Sequence, residues 1–261
     1  MQRKLKSKSV RIGGEFIEKV LEMEQKFSFN EKWTVAEIEK IIEKFGLRRD
    51  GFEELRDVYW DNEDCKIMNL KRGLRVRFLF GVLKSVEFKS LFVNAMGKRL
   101  IEEISLLDEQ QNIDLVKLNN LIVNRLQLSQ TKVKNENNIN NILSNYGLSP
   151  CMIISKKRSV FTDTKKNITV TVDLVENLPP HLEVELVGDD YDAYQEFIVQ
   201  LKKTLPDDLR EVKLGYNDLL AQKNPKILPL EVFLHRFEHD PEWNVLESEK
   251  KLVQELFTLS H

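Results

Sequence analysis

Apolar and polar residues alternate with a period of two along much of this chain, the pattern of strands with one buried face. In Leu21-Glu22-Met23-Glu24-Gln25-Lys26-Phe27, the side chains of Glu22, Glu24 and Lys26 share one face, and Leu21, Met23, Gln25 and Phe27 the other. The alternation predicts strands over residues 18–29, 51–60, 72–81, 83–90, 96–104, 151–161, 167–175 and 181–188. Elsewhere the spacing becomes helical. Thr34-Val-Ala-Glu37 is a capping box that opens a helix with Ile38, Ile41, Ile42 and Phe45 on one face, closed by Gly46. Residues 112–147 hold two amphipathic helices, marked by Ile113, Val116, Leu121 and Ile122 and then by Ile139, Ile142 and Leu143, with a Lys- and Asn-rich loop between them. Asp189 or Asp190 caps a further helix with Ala193, Phe197, Ile198 and Leu201, stopped near Pro206. Residues 213–220 read as a short helix start, and Leu252, Val253, Leu256 and Phe257 mark a terminal amphipathic helix beyond Pro225, Pro229 and Pro241.

About eight strands with mostly short connections predict an α+β fold, an eight-stranded antiparallel β-barrel with helices packed outside. Three segments are expected: a basic, flexible arm over residues 1–17, the barrel domain over 18–222, and a C-terminal helical extension over 223–261.

The charged faces recur along the chain. Arg75 and Arg77 share a face, as do Glu87 and Lys89, Lys156 and Arg158, and Glu183 and Glu185. On a single strand such a pair reads as a solvated outer face with cross-strand salt bridges. Five strands of this kind, each with apolar residues on the opposite side, point the charges inward once helices cover the apolar faces. A dry lumen cannot hold so many ions, because each costs several kcal/mol to desolvate unless it is paired. The lumen is therefore expected to be wide, wet and filled by a ligand. Glutamates two apart on two strands suit a hard divalent cation, Mg²⁺ or Mn²⁺. The lysines and arginines require an anion, and arginine's planar fork suits phosphate oxygens. A metal together with several bases implies many negative charges, hence a triphosphate.

Overall charge adds little to this picture. Forty Lys and Arg against 42 Asp and Glu leave a net charge of -2 over 261 residues, so any nucleic-acid contact would have to be local, as at the basic residues 3–11. Cys65 and Cys151 match no zinc pattern and are too few for a disulfide framework, which suits a reducing, cytoplasmic setting. No apolar run approaches the ~20 residues that span a bilayer, and the basic start lacks the apolar core of a signal peptide. Neither a Gly-x-x-x-x-Gly-Lys loop nor a G-x-G-x-x-G fingerprint is present. His235 and His239, four apart with no third ligand nearby, read as surface residues. His181 is expected at a tunnel rim in a structural role, and Phe78, Phe88 and Phe92 read as outer core.

The order of these motifs resembles the CYTH family of triphosphate tunnel metalloenzymes. Its opening E-x-E-x-K is matched by Glu22, Glu24 and Lys26, its D-x-Y-x-D region by Asp57-Val-Tyr59-Trp-Asp61, and its R-x-R strand by Arg75-Val-Arg77. Lys89 matches a single strand lysine, Lys156-Lys-Arg158 the K-x-R, and Asp173-Leu-Val175 with Glu183-Val-Glu185 the closing motifs. Gly215-Tyr216-Asn-Asp-Leu-Leu looks like the family's S-Y-x-x-L-L helix start. The likeness runs from about residue 18 to 222. It departs at Arg99 with Glu102 or Glu103, which meet an R-x-E strand only loosely, and at Pro179-Pro180, where the family often has glycine.

The resemblance implies a tunnel that grips a triphosphate along its length. Glu22, Glu24, Asp173, Glu183 and Glu185 are the candidate ligands for Mg²⁺ or Mn²⁺. Lys26, Arg75, Arg77, Lys89, Arg99, Lys156 and Arg158 are the candidate phosphate contacts. Glu22, Glu24, Lys26, Glu183 and Glu185 are the candidate catalytic set. Hydrolysis of the terminal phosphate is favoured, because it needs no base-recognition pocket. The resemblance implies a substrate that is ATP, thiamine triphosphate, inorganic triphosphate or an RNA 5′-triphosphate. Two alternatives stand beside it: a class IV-type adenylyl cyclase making cyclic AMP and pyrophosphate, and a tunnel that binds polyphosphate or nucleotide without turnover.

Overall fold

The computed structural model describes residues 8–12, 15–93, 99–108, 110, 112–128, 138–163, 167–187, 190–207 and 209–224, with the side chains of 8–22 and 92–100 outside that description. Its strands are β1 (Lys8–Ile12), β2 (Glu15–Ser28), β3 (Arg48–Asp61), β4 (Arg72–Leu79), β5 (Val82–Val93), β6 (Arg99–Ser105), β7 (Ser149–Asp163), β8 (Ile168–Val175), β9 (His181–Val187) and β10 (Arg210–Val212). Helix α1 spans Val35–Lys44, α2 Lys66–Asn69, α3 Leu115–Asn119 (running into a π-helical turn, Asn120–Arg125), α4 Ile139–Ser144, α5 Tyr191–Thr204 and α6 Tyr216–Lys223.

Every strand pairing is antiparallel, and the pairings run β2–β6–β5–β4–β3–β7–β8–β9 and return to β2. The ring meets at Glu22, whose backbone pairs with Ile101 of β6 on one edge and Val187 of β9 on the other. Strand β2 is long enough to carry two more pairings. β1 lies along Glu15–Lys19, and β10 along Lys26–Ser28. Lys8–Ile12, expected in a flexible arm, is therefore an ordered strand, because β2 offers it an unpaired stretch of edge.

Local sequence explains the helical ends. The capping box at α1 is formed: Glu37 N donates to Thr34 Oγ1 at 3.3 Å, and Thr34 N donates to Glu37 Oε2 at 2.9 Å. Gly46 and Gly147 follow α1 and α4 with φ of +91° and +70°, a region that disfavours side chains. Asp190, not Asp189, caps α5, accepting from Ala193 N at 3.1 Å. Asp61, the last residue of β3, accepts from the backbone N–H groups of Ile67 and Met68 and so anchors α2.

The apolar faces are covered from outside, as the charge pattern requires. Met23, Phe27, Val170, Leu182 and Val184 pack under Ile38 and Ile42 of α1 and Phe197 and Leu201 of α5. Leu74, Val76, Val86 and Phe88 pack under the excursion between β6 and β7, through Leu118, Leu121, Ile122 and Leu143. Phe88 is buried and Phe78 half-buried against that cluster, while the side chain of Phe92 lies outside the described residues. A third cluster joins Met152, Ile154 and Val175 to Tyr216 and Ala221 of α6. Each fully buried Leu, Ile or Phe stabilises the fold by about 1.5–3 kcal/mol. The alternate residues of the same strands are thereby left facing inward. The expected C-terminal helix, with His235 and His239, lies outside the described residues.

Candidate functional site

The barrel encloses a cavity of about 620 Å³. Glu24, Lys26, Arg75, Arg77, Lys89, Lys156, Arg158, Glu183 and Glu185 line it, which brings together residues from β2, β4, β5, β7 and β9. Of the other sequence-predicted residues, Glu22 and Arg99 sit on β2 and β6, and their side chains lie outside the described residues. Asp173 does not line the cavity. It is fully buried behind Lys156 and Arg158, and four donors occupy its two oxygens. Arg158 Nε and Nη2 each donate at 2.6 Å, Lys156 Nζ lies at 3.2 Å, and Tyr216 Oη donates at 2.9 Å. Its geometry is that of a counter-charge to bases rather than of a ligand open to the lumen.

The bases are held in two groups. In the first, Lys26 Nζ lies 3.1 Å from Glu183 and 3.5 Å from Glu24, donates to Leu214 O at 3.3 Å, and sits 4.3 Å above the Tyr216 ring. Glu183 also accepts from Arg158 Nη2 at 2.5 Å. Lys156 approaches the same Tyr216 ring at 5.0 Å, so one ring serves two lysines. In the second, Arg77 grips Asp57 with a two-pronged contact at 2.6 and 2.7 Å. Arg75 donates to Glu87 through Nε at 2.9 Å and through Nη2, and it reaches Asp57 at 3.5 Å. Lys89 pairs with Glu103 at 2.6 Å. Asp57, Tyr59, Glu87, Glu103 and Tyr216 carry no site role in the sequence pattern alone. Cross-strand register identifies the three carboxylates, since Asp57 lies opposite Arg77, Glu87 opposite Arg75, and Glu103 opposite Lys89; Tyr216, on α6, has no such signal.

These contacts set the protonation states. Burial alone would push Glu183 up, yet Lys26, Arg158 and Lys156 hold it well below the usual carboxylate range. Asp57 is likewise held low against its burial by Arg75 and Arg77. Lys26 stays above its ordinary value despite burial, because Glu183 and Glu24 favour its charge. Lys156 behaves differently: burial and then the charge of Arg158 bring it down to about 8. It has a carboxylate partner in Asp173, but Arg158 already makes the two short contacts to that carboxylate. Burial, then Lys26, lowers His181 to about 4, so it is neutral near pH 7. It packs edge-on to Tyr216 at 5.3 Å with Nδ1 2.7 Å from Pro179 O. That is a structural role behind the lining, not at a rim.

Among the described residues, no three His, Cys, Asp or Glu side chains converge closely enough to hold a metal ion. The donor chemistry nonetheless fits one. Glu24 and Glu185 face each other directly across the β2–β9 ladder. Like charges directly opposite destabilise a pair, and a hard cation between carboxylate oxygens removes the repulsion. Glu22 stands two residues before Glu24 on β2.

Comparison with known proteins agrees with this architecture. The CYTH domain matches residues 21–210. The chain belongs to the CYTH domain family. No curated protein matches it. Among solved structures, a candidate adenylate cyclase from Vibrio parahaemolyticus superposes with a TM-score of 0.50 at 14% identity, covering 77% of this chain and 98% of that one. A Hippeastrum protein, HpAC1, described as a candidate adenylyl cyclase with a dominant triphosphatase activity, gives 0.50 at 14% identity over 81% and 99%. Protein PH1819 of Pyrococcus horikoshii gives 0.49 at 20% identity over 78% and 99%. At 14% identity the likeness to the Vibrio and Hippeastrum proteins is one of fold.

Proposed function

We propose that this CYTH domain is a metal-dependent triphosphatase that releases the terminal phosphate of a triphosphate held in the barrel. One observation carries the reading: lysines and arginines from four strands converge on a cavity that also holds the facing pair Glu24 and Glu185. Lys26, Arg75, Arg77, Lys89, Lys156 and Arg158 would grip the phosphate oxygens, with Arg99 a further candidate. Glu22, Glu24 and Glu185 would hold Mg²⁺ or Mn²⁺, and Glu183 would balance Lys26 and Arg158. Asp173 we assign as the buried counter-charge that fixes Lys156 and Arg158.

Phosphoryl transfer needs chiefly positioning and charge neutralisation, and the bases supply both. When bound, the cation adds neutralising charge at the phosphate oxygens. A water oxygen attacks the terminal phosphorus, the bond to the bridging oxygen breaks, and a tunnel carboxylate accepts the water's proton. Orthophosphate and the shortened chain leave. Each of the six bases whose side chains are described starts paired with a carboxylate, so substrate binding is an exchange of partners rather than the filling of bare positive sites. We place the protein in the cytoplasm on its cysteine usage, two residues that match no zinc or disulfide framework. Among the described residues no helix is long and apolar enough to cross a membrane.

The test incubates purified protein with ATP, thiamine triphosphate and inorganic triphosphate, each with Mg²⁺ or Mn²⁺, and separates the products. Orthophosphate release is the expected result. Cyclic AMP with pyrophosphate would select the cyclase, and binding without products would select a non-catalytic tunnel.

A further inference from the structure

Thr171 Oγ1 is buried and finds no hydrogen-bond partner among the described residues. The residue is 2% exposed. A buried hydroxyl left unpaired costs stability, and such groups are retained where something uses them. Thr171 lies directly opposite Glu183 in the β8–β9 ladder, so both side chains share the inner face of the barrel. Glu183 spends its two oxygens on separate bases, Oε1 on Lys26 and Oε2 on Arg158. In the proposed function, triphosphate oxygens take both bases. Glu183 would then be a buried carboxylate without donors, a costly state.

We infer that Thr171 is a positioning residue for Glu183 in the triphosphate-bound tunnel: its hydroxyl donates to the carboxylate that the bases release. The inference rests on the triphosphate reading of the site. It explains why a hydroxyl stands unpaired at a position where valine would fill the same space. It also makes the free and loaded states respond in opposite directions to one substitution.

The experiment measures thermal unfolding of wild type, Thr171→Val and Thr171→Ser, each alone and with inorganic triphosphate in EDTA, so that metal-driven turnover does not consume the probe. Thr171→Val should raise the melting temperature of the free protein by about 2 °C, by removing the unpaired hydroxyl. The same variant should bind triphosphate about tenfold more weakly in calorimetric titration, since a hydrogen bond to a charged group is lost. Thr171→Ser should restore the wild-type response to triphosphate. If Thr171→Val lowers the free protein's melting temperature, or binds triphosphate as wild type does, the assignment to Thr171 is overturned while the triphosphate reading stands. A wild type that neither binds nor is stabilised by triphosphate overturns both.

Discussion

Asp173→Asn separates two roles for one residue. The amide has nearly the shape of the carboxylate but no charge. In the native barrel the carboxylate takes two 2.6 Å contacts from Arg158, one of 3.2 Å from Lys156 and one of 2.9 Å from Tyr216. Removing one partner of a buried ion pair costs about 3–5 kcal/mol. For a domain of this size each kcal/mol moves the melting temperature by about 2–4 °C, so a fall of roughly 10 °C is expected. The charge that was lost is also the one that competes with phosphate for Arg158 and Lys156. Inorganic triphosphate should therefore stabilise the variant more than it stabilises wild type. Circular dichroism melts with and without the anion measure both effects. A variant that melts within about 2 °C of wild type yet loses metal-dependent turnover would refute the reasoning. That pattern would mean that the carboxylate serves a cation and not the two bases.

Three other outcomes are expected. Lys156 is lowered from 10.5 to about 8 when folded. Its folded value lies below its unfolded one, so its charge costs stability below pH 8, and that cost is relieved as pH rises from about 8 to 10.5. At about 1.36 kcal/mol per pKa unit the gain is about 3 kcal/mol, and denaturant titrations should show it in wild type and not in Lys156→Met. Over the same window triphosphate affinity should fall, because the bound anion requires the protonated amine. Glu24→Gln should abolish metal-dependent orthophosphate release while leaving the circular dichroism spectrum unchanged; turnover at the wild-type rate would remove the metal assignment. Thr34→Ala breaks the α1 capping box and should cost about 1 kcal/mol in urea titrations without changing triphosphate affinity, since α1 packs outside the barrel.

Much of the barrel was legible because helices and sheet agree on direction. Once Met23, Phe27, Leu182 and Val184 are assigned outward, Glu24, Lys26 and Glu183 have nowhere to point but in. What alternation does not give is register. Asp57 neutralises Arg77 only because β3 and β4 pair that way, and the sequence separates the two by 20 positions. The same blindness hid the pairing of Asp173, a candidate metal ligand, with Lys156 and Arg158. Strand β1 was hidden for a different reason. A basic pentapeptide has little to bury, and its order comes from the free edge of a neighbour that outruns its own barrel partners.

A co-crystal structure with inorganic triphosphate tests the central claim most directly. The account predicts phosphate density inside the barrel, with Lys26, Arg77, Lys156 and Arg158 turned from their carboxylates onto its oxygens. An anion found only on the outer surface, with those ion pairs intact around a water-filled lumen, would contradict it.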